Sequence, residues 1–394
     1  MASEQVGIDF KKYERRSLLV GAVALAVCLA GGVAISREQF LHAYLAAYLF
    51  WAGVALGSLA LLMLHHLVGG RWGHAIQRVL EAAASTLPCL ALFFLPILLN
   101  LPGLYIWAQP GAAERIHLLH HKALYLNVPF FWVRTLFYFA VWITLSGLLR
   151  RWSLEQDRTG DAGITRRLQV LSGPGLVLYG LTVTFAAFDW VMSIEPQWFS
   201  TIYGVIFIVG QGLAALAFAI VVTRLLADRR PLADTLTPNH FHDLGNLLLA
   251  FVMLWAYVAF SQYLVIWSGN IPEEIIWYVN RMAGGWRLLA FALIGLHFIL
   301  PFLLLLSRTT KRHARGLFAV AVGILVMRMV DLFWVVSPAF HPTEWGLHWL
   351  DLVAPAALGG IWLAAFLRQL KRHPLLPLRD PRFPEQAAGE RHTA

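Results

Sequence analysis

The sequence predicts an all-α integral membrane protein of ten transmembrane helices, and three observations carry the prediction. Hydrophobic residues make up 59% of the 394 and charged residues 13%, with a mean hydropathy of +0.64, well above that of a globular domain. Apolar runs long enough to cross a hydrocarbon core of about 30 Å recur along the whole length. The basic residues between those runs alternate from one connection to the next, as in multi-pass proteins.

The spans are expected near 18–35, 41–67, 76–100, 129–149, 168–191, 201–223, 242–267, 286–306, 315–336 and 350–369, numbered 1 to 10 below. Lys11, Lys12, Arg15 and Arg16 precede span 1 in the manner of a signal peptide. No small-residue cleavage site stands out before Arg37, so span 1 is expected to be retained. Span 2 ends in His65-His66, and Gly69-Gly70 then permit a tight reversal into span 3, which carries Glu81. The connection after Leu101 holds Glu114 to Lys122, a short interfacial helix. His117, His120 and His121 lie there at helical metal-ligand spacing, but three histidines on an exposed turn are ordinarily solvated. Beyond span 10, Pro374, Pro377, Pro381 and Pro384 among charges predict an extended tail.

Orientation follows from Lys and Arg, which stay cytoplasmic. Arg71 and Arg78, the run from Arg150 to Arg167, Arg224 to Arg230, Arg308 to Arg315, and Arg368 to Arg372 all fall on the side of the N-terminus. The alternate connections hold only Arg37, Arg115, Lys122 and Arg281. Both termini are therefore expected inside. The net charge of +9 is then mostly a topological signal plus attraction to lipid, with no call for nucleic acid.

Polar residues inside the spans are the functional candidates, because an ionisable group at that depth costs several kcal/mol unless paired or wetted. Asp189 ends span 5, whose Ser172, Tyr179, Thr182, Asp189 and Ser193 share one helical face that must turn toward protein or water. Arg134 opens span 4 at the same membrane level. In span 9, Arg328 and Asp331 are three residues apart and within pairing reach, with Arg287 at the start of span 8 as a second partner for Asp331. Asp243, Asn246, Tyr257 and Ser261 share a face of span 7, a second polar track that begins at His242 and has Gln262 beside it.

An internal echo relates the two halves. Asp189-Trp190-Val-Met-Ser193 resembles Asp331 to Ser337, and Trp132-Val-Arg134 resembles Trp286-Arg287, each pair four spans apart. The expected architecture is one polytopic domain over 1–394. It holds two parallel four-helix bundles, spans 2–5 (about 41–191) and spans 6–9 (about 201–336), with spans 1 and 10 flanking and a tail from about 370.

Cys28 and Cys89 lie in different spans and there is no CxxCH, so the residues supply no iron–sulfur, structural zinc or covalent haem site. His297 sits mid-membrane without a second histidine at its depth, and reads as a buried polar contact rather than a haem ligand.

The run Thr184-Phe-Ala-Ala-Phe-Asp189-Trp190-Val-Met-Ser193-Ile-Glu195-Pro196-Gln-Trp198-Phe-Ser-Thr-Ile-Tyr-Gly204 resembles the large membrane subunits of alternative complex III, a bacterial quinol:electron-acceptor oxidoreductase. The stretch from His242-Asp243-Leu-Gly-Asn246 through Trp255-Ala-Tyr257 and Gln262-Tyr263 to Asn270-Ile-Pro272-Glu273-Glu274 is similar to its F-type subunit. The resemblance covers about Leu41 to Pro342 and extends to the polysulfide-reductase membrane-subunit (NrfD-like) superfamily, whose members have two four-helix bundles. It implies a bacterial inner-membrane subunit beside a C-type sister subunit, an iron–sulfur B subunit and haem c subunits. Iron–sulfur clusters and haem c would then sit only in those partners, and quinone or quinol would be the organic cofactor at issue here. Within such a complex, Asp189, Arg134, Arg287, Arg328, Asp331, Asp243, His242, Asn246, Tyr257 and Gln262 are the candidates for a quinol-side cavity or proton half-channels. An independent ten-helix secondary transporter or a purely structural anchor are the alternatives. Against the transporter, the two halves show no matched pair of helix breaks.

Overall fold

The computed structural model describes residues 9–342 and 345–382; among them every regular element is a helix. Ten helices among the described residues are long and apolar enough to cross a membrane: Phe10–Ala34, Arg37–Val68, Arg71–Leu99, Val128–Thr159, Ala162–Ile194, Tyr203–Leu226, Pro238–Gly269, Trp286–Leu306, Ala314–Ala339 and Trp349–Leu370. The chain is a multi-pass membrane protein. These are spans 1 to 10 as expected. Several run past the apolar core into their charged flanks, because a helix continues until a cap stops it, not where hydropathy falls. Span 4 thus ends at Gly160 in the left-handed region (φ 68°), and span 1 begins at Asp9, whose side chain accepts from Lys12 N. Gly69 and Gly70 have φ of 73° and 101°, the conformation the reversal between spans 2 and 3 requires.

The end at which the chain enters span 1 is called the near end below, and the opposite one the far end. Spans 2 and 6 form the interior. Span 2 is buried around nearly its whole circumference, as expected of a helix apolar on all sides. It packs on spans 3, 5, 6 and 10, and span 6 packs in turn on spans 5, 7 and 9. A Cβ on Gly57 would lie 2.0 Å from the Gln211 carbonyl oxygen, so spans 2 and 6 cross backbone to backbone. Spans 1 and 10 meet in the same way at Gly21 and Gly360.

Two spans are irregular. Span 3 is helical over Arg71–Ala84, Leu87–Phe93 and Leu95–Leu99, with Pro88 and Pro96 each near the start of a new piece. Span 8 widens into a π-helix over Leu293–Ile299, which ends two residues before Pro301. The expected interfacial helix is two short ones, Ala112–Arg115 and His117–Lys122, with His117, His120 and His121 exposed. Among the described residues no cluster of three or more His, Cys, Asp or Glu could hold a metal. The tail to Arg382 returns over the near end: Leu375 and Leu376 are buried, and Leu378 N donates to Asp157. Pro384 and the rest of the expected tail lie outside the described residues.

Candidate functional site

Asp189 is fully buried at the far end of span 5, and Arg134 reaches it from span 4. The guanidinium makes both of its fork bonds, Nε to Oδ2 at 2.8 Å and Nη2 to Oδ1 at 2.9 Å, while Nη1 donates to the Tyr125 carbonyl at 2.9 Å. Tyr138, one turn along span 4 from Arg134, donates its hydroxyl to Asp189 Oδ2 at 2.7 Å. The rings of Tyr125 and Phe130 cover the guanidinium at 3.9 and 4.3 Å. Sequence placed Arg134 and Asp189 at one depth; the structure joins them. The polar stripe of span 5 also turns inward. Ser172, Tyr179, Thr182, Asp189 and Ser193 are all buried, Trp142 donates to Thr182 Oγ1 and Tyr179 to Gln211.

An open crevice of about 320 Å³ lies against this pair at the far end. Phe188, Trp198 and Phe199 form apolar walls; His121, Lys122, Tyr125 and Ser193 supply the polar groups. Ser193 Oγ donates to the Asp189 backbone carbonyl at 2.5 Å and the Tyr125 ring covers the Arg134 guanidinium, so two residues of the crevice wall touch the pair, though neither Asp189 nor Arg134 lines the crevice. Lys122 donates to the Pro196 carbonyl at 2.6 Å, and partial burial lowers its pKa from the ordinary value. Burial, and then the charge of Asp189, push the Tyr125 hydroxyl well above its own.

The second expected pair is also formed: Arg328 bonds Asp331 within span 9, both buried. Arg287 takes no part in it. It is exposed at the start of span 8, because a shared depth in the sequence does not say which side of the helix a residue faces. The track on span 7 lies differently from the stripe on span 5. Its members share a face, but that face points outward, with Tyr257 69% exposed and Ser261 bonded only to its own helix. At its near end Asp243 lies 3.8 Å from Arg71, Asn246 accepts from Lys311 at 2.7 Å, and His242 lies 3.4 Å from the Asn246 amide. Gln262 is on the opposite side of span 7, buried, accepting from Ser200 and donating to the Tyr278 hydroxyl.

Two buried groupings escaped the sequence reading. At the near end Glu81 accepts from Gln77, Ser153 and Arg78, and Arg78 also bonds Asp157. At the far end Arg281 bonds Glu195 at 2.8 Å and the Val335 carbonyl at 2.6 Å, over the Trp277 ring, which stacks on Trp198. Glu195 lies inside the motif around Asp189, yet nothing in its spacing points to an arginine 86 positions away. Set against protein-family models and against curated proteins, the sequence matches none.

Proposed function

We propose that this chain is a membrane subunit of a quinol-oxidising electron-transfer complex of the alternative complex III type, and that its far end forms a quinol-side cavity which receives protons. One observation carries the reading: a fully buried, ion-paired carboxylate, Asp189, next in the chain to Phe188, which lines an open crevice walled by aromatic rings. The crevice volume falls within the roughly 300–1,000 Å³ of small-molecule sites, and apolar walls with few polar groups suit a quinol ring. When bound, quinol supplies two electrons and two protons. Phe188, Trp198 and Phe199 would hold the ring, and Ser193 and Tyr125 would face its hydroxyls. Arg134 and Tyr138 hold the Asp189 carboxylate in place as the candidate proton acceptor.

The wider assignments belong to the same reading. The ring of neighbours formed by spans 2, 3, 4 and 5, and another by spans 6, 7, 8 and 9, support two four-helix bundles. Basic connections at the near end support a cytoplasmic near end, with both termini inside a bacterial inner membrane. The electrons would leave through iron–sulfur and haem c partners, beside a C-type sister subunit.

Affinity purification of the tagged chain from its native membrane tests this. The expected result is co-purification with haem c and iron–sulfur subunits and quinol-dependent reduction of an electron acceptor. Recovery as a self-sufficient protein that moves a solute across vesicles would replace this reading with the transporter.

A further inference from the structure

His297 lies in span 8 with no exposed surface, and neither of its ring nitrogens has a hydrogen-bond partner. Nε of Arg328, 4% exposed, is also without one. Arg328 lies near enough for its charge to act on the His297 ring, and the Trp255 ring meets His297 edge-on with centroids 4.3 Å apart. The Trp255 indole N–H, near the Asp331 carboxylate that Arg328 bonds, has no hydrogen-bond partner either. Spans 7, 8 and 9 thus enclose His297, Arg328, Asp331 and Trp255 in one compartment. Span 6 closes it at Gly210, where a Cβ would lie 2.4 Å from Arg328 Nη2.

His297 belongs to the π-helix. Pro301 has no N–H to offer the carbonyl four residues back, which is that of His297, and its ring crowds the same carbonyl. The widened turn relieves that crowding, and π segments of this kind concentrate at functional sites. Buried nitrogens are costly to leave unpaired, so a compartment with four of them and a charge pair is polar enough to hold water.

We propose that this compartment is a hydrated internal proton-exchange site in which bound water links His297 to the Arg328–Asp331 pair. The imidazole takes a proton from water on one ring nitrogen and releases the proton on the other, returning as the opposite neutral tautomer. No charge then accumulates beside Arg328, and Asp331 keeps its arginine. The charged groups that face the ring are Arg328 and, through it, Asp331. The inference goes beyond the quinol reading, and its test uses neither quinol nor turnover.

Hydroxyl-radical footprinting of the purified protein in lipid nanodiscs, with whatever subunits accompany it, reads bound water directly. His297, with no exposed surface like Trp142 and Trp362, should oxidise several-fold faster than these two, which are bonded to threonine hydroxyls, and so should Trp255, which is 7% exposed. His297→Phe should bring Trp255 down to their rate. Equal rates in the native protein would overturn the site, and that comparison decides the matter even if the variant does not fold. Histidine-labelled protein supplies the second readout. The His297 imidazole signal, identified by its loss in His297→Gln, should exchange with deuterated solvent. Retention of its proton for as long as the amides of span 2 would remove the exchange.

Discussion

Asp189 shows what one buried charge demands of its neighbours. Arg134 and Tyr138 supply three hydrogen bonds to its two oxygens, and aromatic rings cover the guanidinium in place of water. Removing one partner from such a pair leaves the other uncompensated, at about 3–5 kcal/mol, whereas replacing both with apolar groups of similar volume is near neutral. Arg134→Met alone should therefore lower thermal stability sharply, and Arg134→Met with Asp189→Leu should recover most of it. A double variant no more stable than the single would mean that the pair contributes more than its own neutralisation. Glu81 follows the same rule at the near end, since it accepts from Gln77, Ser153 and Arg78. Glu81→Gln should cost several kcal/mol, and Ser153→Ala about 1 kcal/mol, in denaturation of the purified protein.

At the level of elements, the crossing of spans 2 and 6 is the tightest constraint, because Gly57 stands against the Gln211 carbonyl. Gly57→Ala should force the helices apart and cost about 1–3 kcal/mol, while Gly147→Ala, which opens onto free space, should leave the melting temperature unchanged. All ten spans were legible in the sequence because hydropathy over about 20 residues is a local property. So was the inward turn of the span 5 stripe, since a buried carboxylate has to face protein. Which way the span 7 track points was not legible. Periodicity groups Asp243, Asn246, Tyr257 and Ser261 on one face but says nothing of what covers it. Arg281 with Glu195, and Arg78 with Asp157, were missed for another reason: each joins residues far apart in the chain, and a lone arginine near a span end reads as a topological signal. The π-helix at His297 had a sequence cue in Pro301, but a proline alone does not distinguish a kink from a widened turn.

For the whole molecule, the basic connections make a topological claim. After replacement of Cys28 and Cys89, a cysteine at Gly160 should be protected from an impermeant reagent applied outside intact cells, and one at Gly269 should react. The reverse pattern would place the crevice on the cytoplasmic side and separate it from proton release outside. The proposal as a whole concerns the far end, where Asp189 would accept protons from the crevice. It is tested most directly by the quinol-oxidation rate per assembled complex carrying Asp189→Asn, with assembly measured on the same preparation. The amide retains the size of the carboxylate and one accepting oxygen but cannot take up the proton. The rate per complex should fall by about ten-fold or more, on the order of what a general acid–base group contributes, even where loss of the ion pair lowers the yield. An unchanged rate per complex would contradict the account and leave Asp189 as a structural charge held by Arg134.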